Sequence, residues 1–134
     1  KGENHMFRNL YATVDGIEQD IIRDGALACN LFVSAVLYVH KLIADMHAGD
    51  GGGLERDLIA SGWQTIDVPK EGAVLVWEKR PGVDGKLHGH SGFFIGNDQG
   101  ISNSSEQGFP ITHHWTYNGT RKVERIYWHP MLEQ

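Results

Sequence analysis

From Cys29 to Ile43 the chain reads CNLFVSAVLYVHKLI, and Leu31, Phe32, Val33, Val36, Leu37, Val39 and Ile43 cover most of a helix's circumference. A helix apolar on nearly every side belongs between other layers, so the run from Cys29 to Met46 is predicted as a buried helix. Beyond Gly62 the hydrophobic period changes. Trp63–Val68, Ala73–Trp77, His88–Ile95, Gly100–Ser104 and Val123–Trp128 read as strands, with turns at Pro69–Gly72 and a hairpin-like loop over Pro81–Lys86. Two shorter helices are expected, one over Val14–Arg23 capped by Thr13 or Asp15, the other over Leu54–Ser61 after the glycine loop 49–53. Helices first and strands afterwards predict an α+β fold with an antiparallel sheet.

The 134 residues, 40% hydrophobic, suffice for one core, and the seventeen glycines and four tryptophans argue for many turns rather than a helical bundle. No repeat, low-complexity tract or linker divides the chain. One domain is expected over 6–134, with residues 1–5 read as a vector remnant and Met6 as the natural start or the start of a cloned fragment. The net charge of −5 argues against nucleic acid or an anionic membrane surface as partner. No apolar run reaches the roughly 20 residues of a membrane span, and Lys1 to Met6 has no signal-peptide core. The single cysteine excludes an internal disulfide framework, which leaves the compartment open. A monomer is expected.

That cysteine, Cys29, stands at the start of the long helix, where the helix N-terminus favours thiolate over thiol. Downstream, His90 heads the strand HSGFFIGN. An imidazole within hydrogen-bond reach of such a thiol makes an activated nucleophile, and glycines flanking His90 leave room for a substrate backbone. His88 shares the face of His90 but lies about 7 Å along the strand, so both cannot serve one thiol. The other histidines, His113, His114 and His129, show no zinc-ligand spacing with them, and no metal site is expected. His113-His114-Trp115 is read as a cleft lining or surface loop in which Trp115, like His88, contacts substrate. Trp63, Trp77 and Trp128 are read as core.

A lone thiol at a helix start with a downstream strand histidine is the layout of papain-like cysteine hydrolases. PKEGAVLVW and HGHSGFFIGNDQGISNSS resemble the paired strands of NlpC-type cell-wall peptidases and their CHAP amidase relatives. Gly72, Val74 and Trp77 match the first strand of that pattern, His90, Gly92, Ile95, Gly96 and Asn97 the second, and Cys29 with Phe32-Val33 the nucleophile helix. The resemblance covers about Gly25 to Ser105. Ala28, Asn30-Leu31 and Ala73 depart from it, which points to the broad superfamily rather than its best-studied branch.

The resemblance implies a papain-like fold and hydrolysis of amide bonds, with Cys29 as nucleophile, His90 as base and no cofactor. It implies peptidoglycan stem peptides or cross-bridges as substrate, and a secreted or cell-wall-associated location. The third member, which orients the imidazole, falls by the family's spacing at Ser102, whereas a side-chain amide at Asn103 is the better chemistry; Asn103 is favoured, with Ser102 as the register-based alternative. Two other readings stay open: a thiol hydrolase of another amide or protein conjugate, and a non-catalytic binding domain of the same fold.

Overall fold

A computed structural model describes residues 28–48, 52–81, 85–104, 107 and 109–132. Helices α1 (Ala28–Val39) and α2 (Gly53–Ala60) precede strands β1 (Gln64–Thr65), β2 (Val74–Pro81), β3 (Leu87–Gly96), β4 (Gln99–Ser104), β5 (Phe109–His114) and β6 (Val123–Trp128), and the described chain closes with a 3-10 turn, Pro130–Leu132. The strands form one six-stranded sheet in the order β1-β6-β2-β3-β4-β5, with every pairing antiparallel. The α+β expectation holds at this level. The helix expected over 14–23 and the segment 1–5 lie outside the described residues.

Period-2 alternation divides the sheet between two cores. Val74, Val76, Phe93, Ile101 and Tyr127 point to the α1 side, where they pack with Phe32, Val33, Val36, Leu37 and Leu58. Phe32 meets Phe93 edge to face, 5.8 Å between ring centroids. The next residues along the same strands, Ala73, Leu75, Trp77, Phe94 and Ile126, build a second cluster on the opposite face, flanked by Trp115, Tyr117 and Val123. Trp63 and Trp77 are buried and Trp128 packs partly buried against both clusters, so all three belong to the core.

Helix α1 ends seven residues before the expected Met46. Lys41 adopts a left-handed φ of 63°, its N–H reaches the Tyr38 carbonyl at 3.0 Å, and the Leu42 N–H reaches the Leu37 carbonyl at 2.9 Å. This is a Schellman stop with lysine where glycine is usual, closed by the buried pair Leu37 and Leu42. Asp57 of α2 ties down the segment that follows α1: its carboxylate accepts from the backbone of Ala44 and Asp45, from Ser61 Oγ and from His47 Nε2 at 2.7 Å. Burial alone would raise the Asp57 pKa; the four donors outweigh it and hold the carboxyl at about 2.

The strand boundaries also differ from the sequence reading. Of the expected Trp63–Val68 strand, Gln64 and Thr65 form the ladder with β6, and the Ile66 N–H adds one bond to the Ile126 carbonyl at 2.9 Å. β2 runs on to Pro81 beyond a bulge between Trp77 and Arg80. β5 is a strand that the sequence pattern does not announce: Pro110, which has no N–H to give, sits on this edge strand where a missing donor costs no ladder bond.

Candidate active site

Cys29 is the second residue of α1, buried, and its Sγ lies 3.9 Å from the carbonyl oxygen of Gly89. The nucleophile helix therefore meets β3 at the residue immediately before His90. A second tie fixes the approach: Ser91 Oγ donates to Asn30 Oδ1 at 2.5 Å, pinning the first turn of α1 to the same strand. Gly89 has open space where a side chain would project, with only the Lys79 stem at 4.0 Å.

His90 lies on the other parity of β3, with Gly92 and Phe94, over the second cluster. Its ring packs on Trp77, 5.0 Å between centroids. Its Nε2 has two oxygen partners, Ser102 Oγ at 3.0 Å and the Tyr117 hydroxyl at 2.9 Å. Burial, with smaller contributions from the charges of Arg121 and His113, lowers the His90 pKa to about 3, so the ring is neutral throughout the physiological range.

The side-chain amide of Asn103 does not meet His90. Alternation along β4 sends Ser102 to the His90 face and Asn103 to the α1 face, where Asn103 Oδ1 is buried without a hydrogen-bond partner among the described residues. The register-based alternative, Ser102, is the residue in contact. No bulge in β4 intervenes between 101 and 104 to shift it, since Ile101, Ser102, Asn103 and Ser104 pair in unbroken sequence with Thr112, Ile111, Pro110 and Phe109.

Gly92 has a different role from the one its place beside His90 suggests. A Cβ there would lie 2.3 Å from the Ile101 carbonyl oxygen and 2.8 Å from the Ser102 Cβ. The missing side chain makes room for β4, not for substrate, and lets Ser102 come close to His90.

Two further residues, which the sequence reading does not pair with His90, join this network. His113 Nε2 lies 2.8 Å from Ser102 Oγ, and its Nδ1 lies 2.8 Å from the His114 carbonyl. Tyr117 stacks on His113, with centroids 4.0 Å apart and planes 14° from parallel, and its hydroxyl is 3.2 Å from Ser102 Oγ. Phe109, Ile111 and His113 share one phase of a strand, but Pro110 and the polar His113 on the apolar phase hide that signal in the sequence. Tyr117 and Asn118 carry left-handed φ values of 54° and 56°, uncommon for residues with side chains, in the turn that carries the Tyr117 ring onto His113 and Trp77.

Arg121 supplies positive charge to the site. Its Nε and Nη2 donate to the Glu78 carbonyl at 3.0 and 2.8 Å, and Nη2 approaches the His88 carbonyl at 3.4 Å. A negative charge on Cys29 would be felt at both Arg121 and Tyr117, so the thiol shares the electrostatic surroundings of the histidine network. His88 is half-buried and contributes its carbonyl to Arg121. The Trp115 ring packs edge to face on Phe94 at 5.8 Å, and its carbonyl accepts from Trp77 Nε1 at 2.8 Å, placing it in the wall of the second core.

On the α1 side a cavity of about 170 Å³ opens between Asn30, Gly89, Ser91, Lys79 and Arg125. Its outer wall is held by Glu55, which accepts from Arg125 Nε at 2.5 Å and from the Tyr127 hydroxyl at 2.6 Å. The volume suits one residue-sized group rather than a drug-sized ligand. Among the described residues, no group of three or more His, Cys, Asp or Glu side chains is placed to hold a metal ion. No helix there is long and apolar enough to cross a membrane.

Compared with known proteins, the chain matches no family model. No curated protein is significantly similar to it in sequence.

Proposed function

We propose that this chain is a papain-like cysteine peptidase or amidase that cleaves amide bonds of peptidoglycan stem peptides or cross-bridges. One observation carries the reading: His90 Nε2 is bonded to a residue twelve positions later on the neighbouring strand, while Cys29 at the helix start touches the residue before His90. The first of these is the contact that the resemblance to NlpC-type peptidases and CHAP amidases leads one to look for at the third position.

In this reading the resting imidazole of His90 is neutral and able to take a proton. Cys29 Sγ bonds to the carbonyl carbon as its proton passes to His90. The tetrahedral oxyanion is met by the Cys29 backbone N–H, one of the first four of the helix that have no intrahelical acceptor. Collapse breaks the C–N bond, and His90 gives its proton to the departing amine. Water then attacks the thioester, again through His90, and restores the thiol. Arg121 favours the negative charge that develops on sulfur. The cavity is lined by Asn30 and Gly89, the chain neighbours of Cys29 and His90, and would take one residue of the peptide.

The test is digestion of purified peptidoglycan with mass spectrometry of the fragments, alongside alkylation of the single thiol as a function of pH. Released peptides that vanish with Cys29→Ala support the proposal. A reactive Cys29 without fragments would move the substrate to another amide or a protein conjugate. Ordinary thiol reactivity at Cys29, with a pKa of about 8.5 and no released fragments, would leave a binding domain.

A further inference from the structure

We infer that His113 is a positioning residue: acting through Ser102, it fixes His90 in the tautomer that carries its proton on Nε2 and leaves Nδ1 as the proton acceptor. The inference rests on the proposal that His90 is the base. The tautomer itself, however, is a property of the resting protein.

The assignment comes from counting protons along one chain of bonds. A carbonyl can only accept, so at 2.8 Å the His113 Nδ1 donates to the His114 oxygen. Burial lowers the His113 pKa despite that bond, which keeps the ring neutral and its Nε2 bare. Ser102 Oγ, 2.8 Å from that bare nitrogen, must therefore donate to it. A hydroxyl has one proton. Toward His90 Nε2, at 3.0 Å, the serine oxygen can only accept, so His90 Nε2 is the protonated nitrogen.

Tyr117 agrees with this polarity. Its proton points to the second lone pair of Ser102 Oγ at 3.2 Å, and its own oxygen shares the His90 N–H at 2.9 Å. No group in the chain is then asked to give a proton it lacks. Serine alone would not have this effect, because a free hydroxyl can donate to or accept from His90 according to its tautomer; the bare Nε2 of His113 removes the choice.

Long-range proton–nitrogen NMR correlation on the uniformly ¹⁵N-labelled protein reads the His90 tautomer directly, without substrate. The wild type is expected to show Nε2–H. His113→Phe keeps a ring against Tyr117 and Trp77 but has no acceptor, so His90 should lose its single tautomer. Turnover of peptidoglycan peptides should then fall at least about tenfold with little change in KM, because an imidazole in the wrong tautomer cannot take the thiol proton. His113→Gln, whose side-chain oxygen can accept from Ser102, should restore both readings in part.

If His113→Phe does not fold, Ser102→Thr and Ser102→Ala serve instead: threonine keeps the bridging hydroxyl and should keep the Nε2–H form, alanine should lose it. A wild-type His90 protonated on Nδ1 overturns the inference. So does an unchanged spectrum and turnover in the variants that lack the bond. A wild type with the Nε2–H form, lost in His113→Phe, and no hydrolysis of any peptide would refute the peptidase reading alone and leave the relay standing.

Discussion

Gly92→Ala tests how closely the site depends on the packing of β3 against β4. The added methyl would stand 2.3 Å from the Ile101 carbonyl oxygen, where carbon and oxygen normally keep about 3.3 Å. The obstacle is backbone, so no side chain can rotate away, and the strands must separate by about 1 Å. Overpacking of this kind costs about 1–3 kcal/mol of stability. The functional cost is larger in proportion. The same displacement would stretch the His90–Ser102 contact from 3.0 Å to nearly 4 Å, beyond hydrogen-bond length. A misplacement of that size is expected to lower turnover by about 10²-fold. Urea unfolding gives the first quantity and peptide release from peptidoglycan the second. An alanine variant with wild-type stability and full turnover would refute the idea that the bare Cα at this position sets the distance between the two strands.

Four other outcomes are expected from the same structure. Asp57→Ala should cost about 2 kcal/mol in urea unfolding at neutral pH, and because the folded pKa of about 2 is depressed from 3.8, the wild type should lose this contribution as pH falls from about 4 to 2. His90, also depressed but a base, is native when neutral: its contribution to stability is complete above about pH 6.5 and declines as the unfolded chain takes up protons below it, while turnover should show no acid limb near 6.5. His90→Ala should cost turnover about two orders of magnitude and His88→Ala far less, since Arg121 uses the backbone carbonyl of His88; equal losses would contradict the strand assignment. Asn103→Ala should leave turnover within about twofold, whereas Ser102→Ala should lower it at least about tenfold, a contrast that steady-state kinetics on the two variants reads directly.

The sequence is most legible where one pattern has one meaning. HSGFFIGN reads as a single strand, and although both of its faces are buried, a period of two assigns His90, Gly92 and Phe94 to one face and Phe93 to the other, with α1. At Ser102 and Asn103 two arguments compete. Chemical suitability favours the amide, but side-chain direction is set by the pleat, and an unshifted strand overrides the better functional group. The end of α1 is illegible because Lys41 occupies a left-handed position that sequence reading expects of glycine. β5 is hidden by Pro110, and with it the His113 contact, which joins strands through a diagonal pair that no local spacing encodes. The sheet order cannot be read at all, since antiparallel strands of similar pattern permit several.

That order has a kinetic consequence. β2, β3, β4 and β5 are neighbours in sequence and in space, so their pairing closes only short loops. β6 comes after all of them in the chain yet lies between β1 and β2, with Val123 opposite Trp77 and Trp128 opposite Gln64. Closing those longer loops adds an entropic cost that the hairpins do not incur. A chain emerging from the ribosome would therefore assemble the meander and the His90 network's two inner strands early. It would keep the other side of β2 open until the arrival of β6, adding to the permanent β5 edge a second, apolar one on which premature association is favoured.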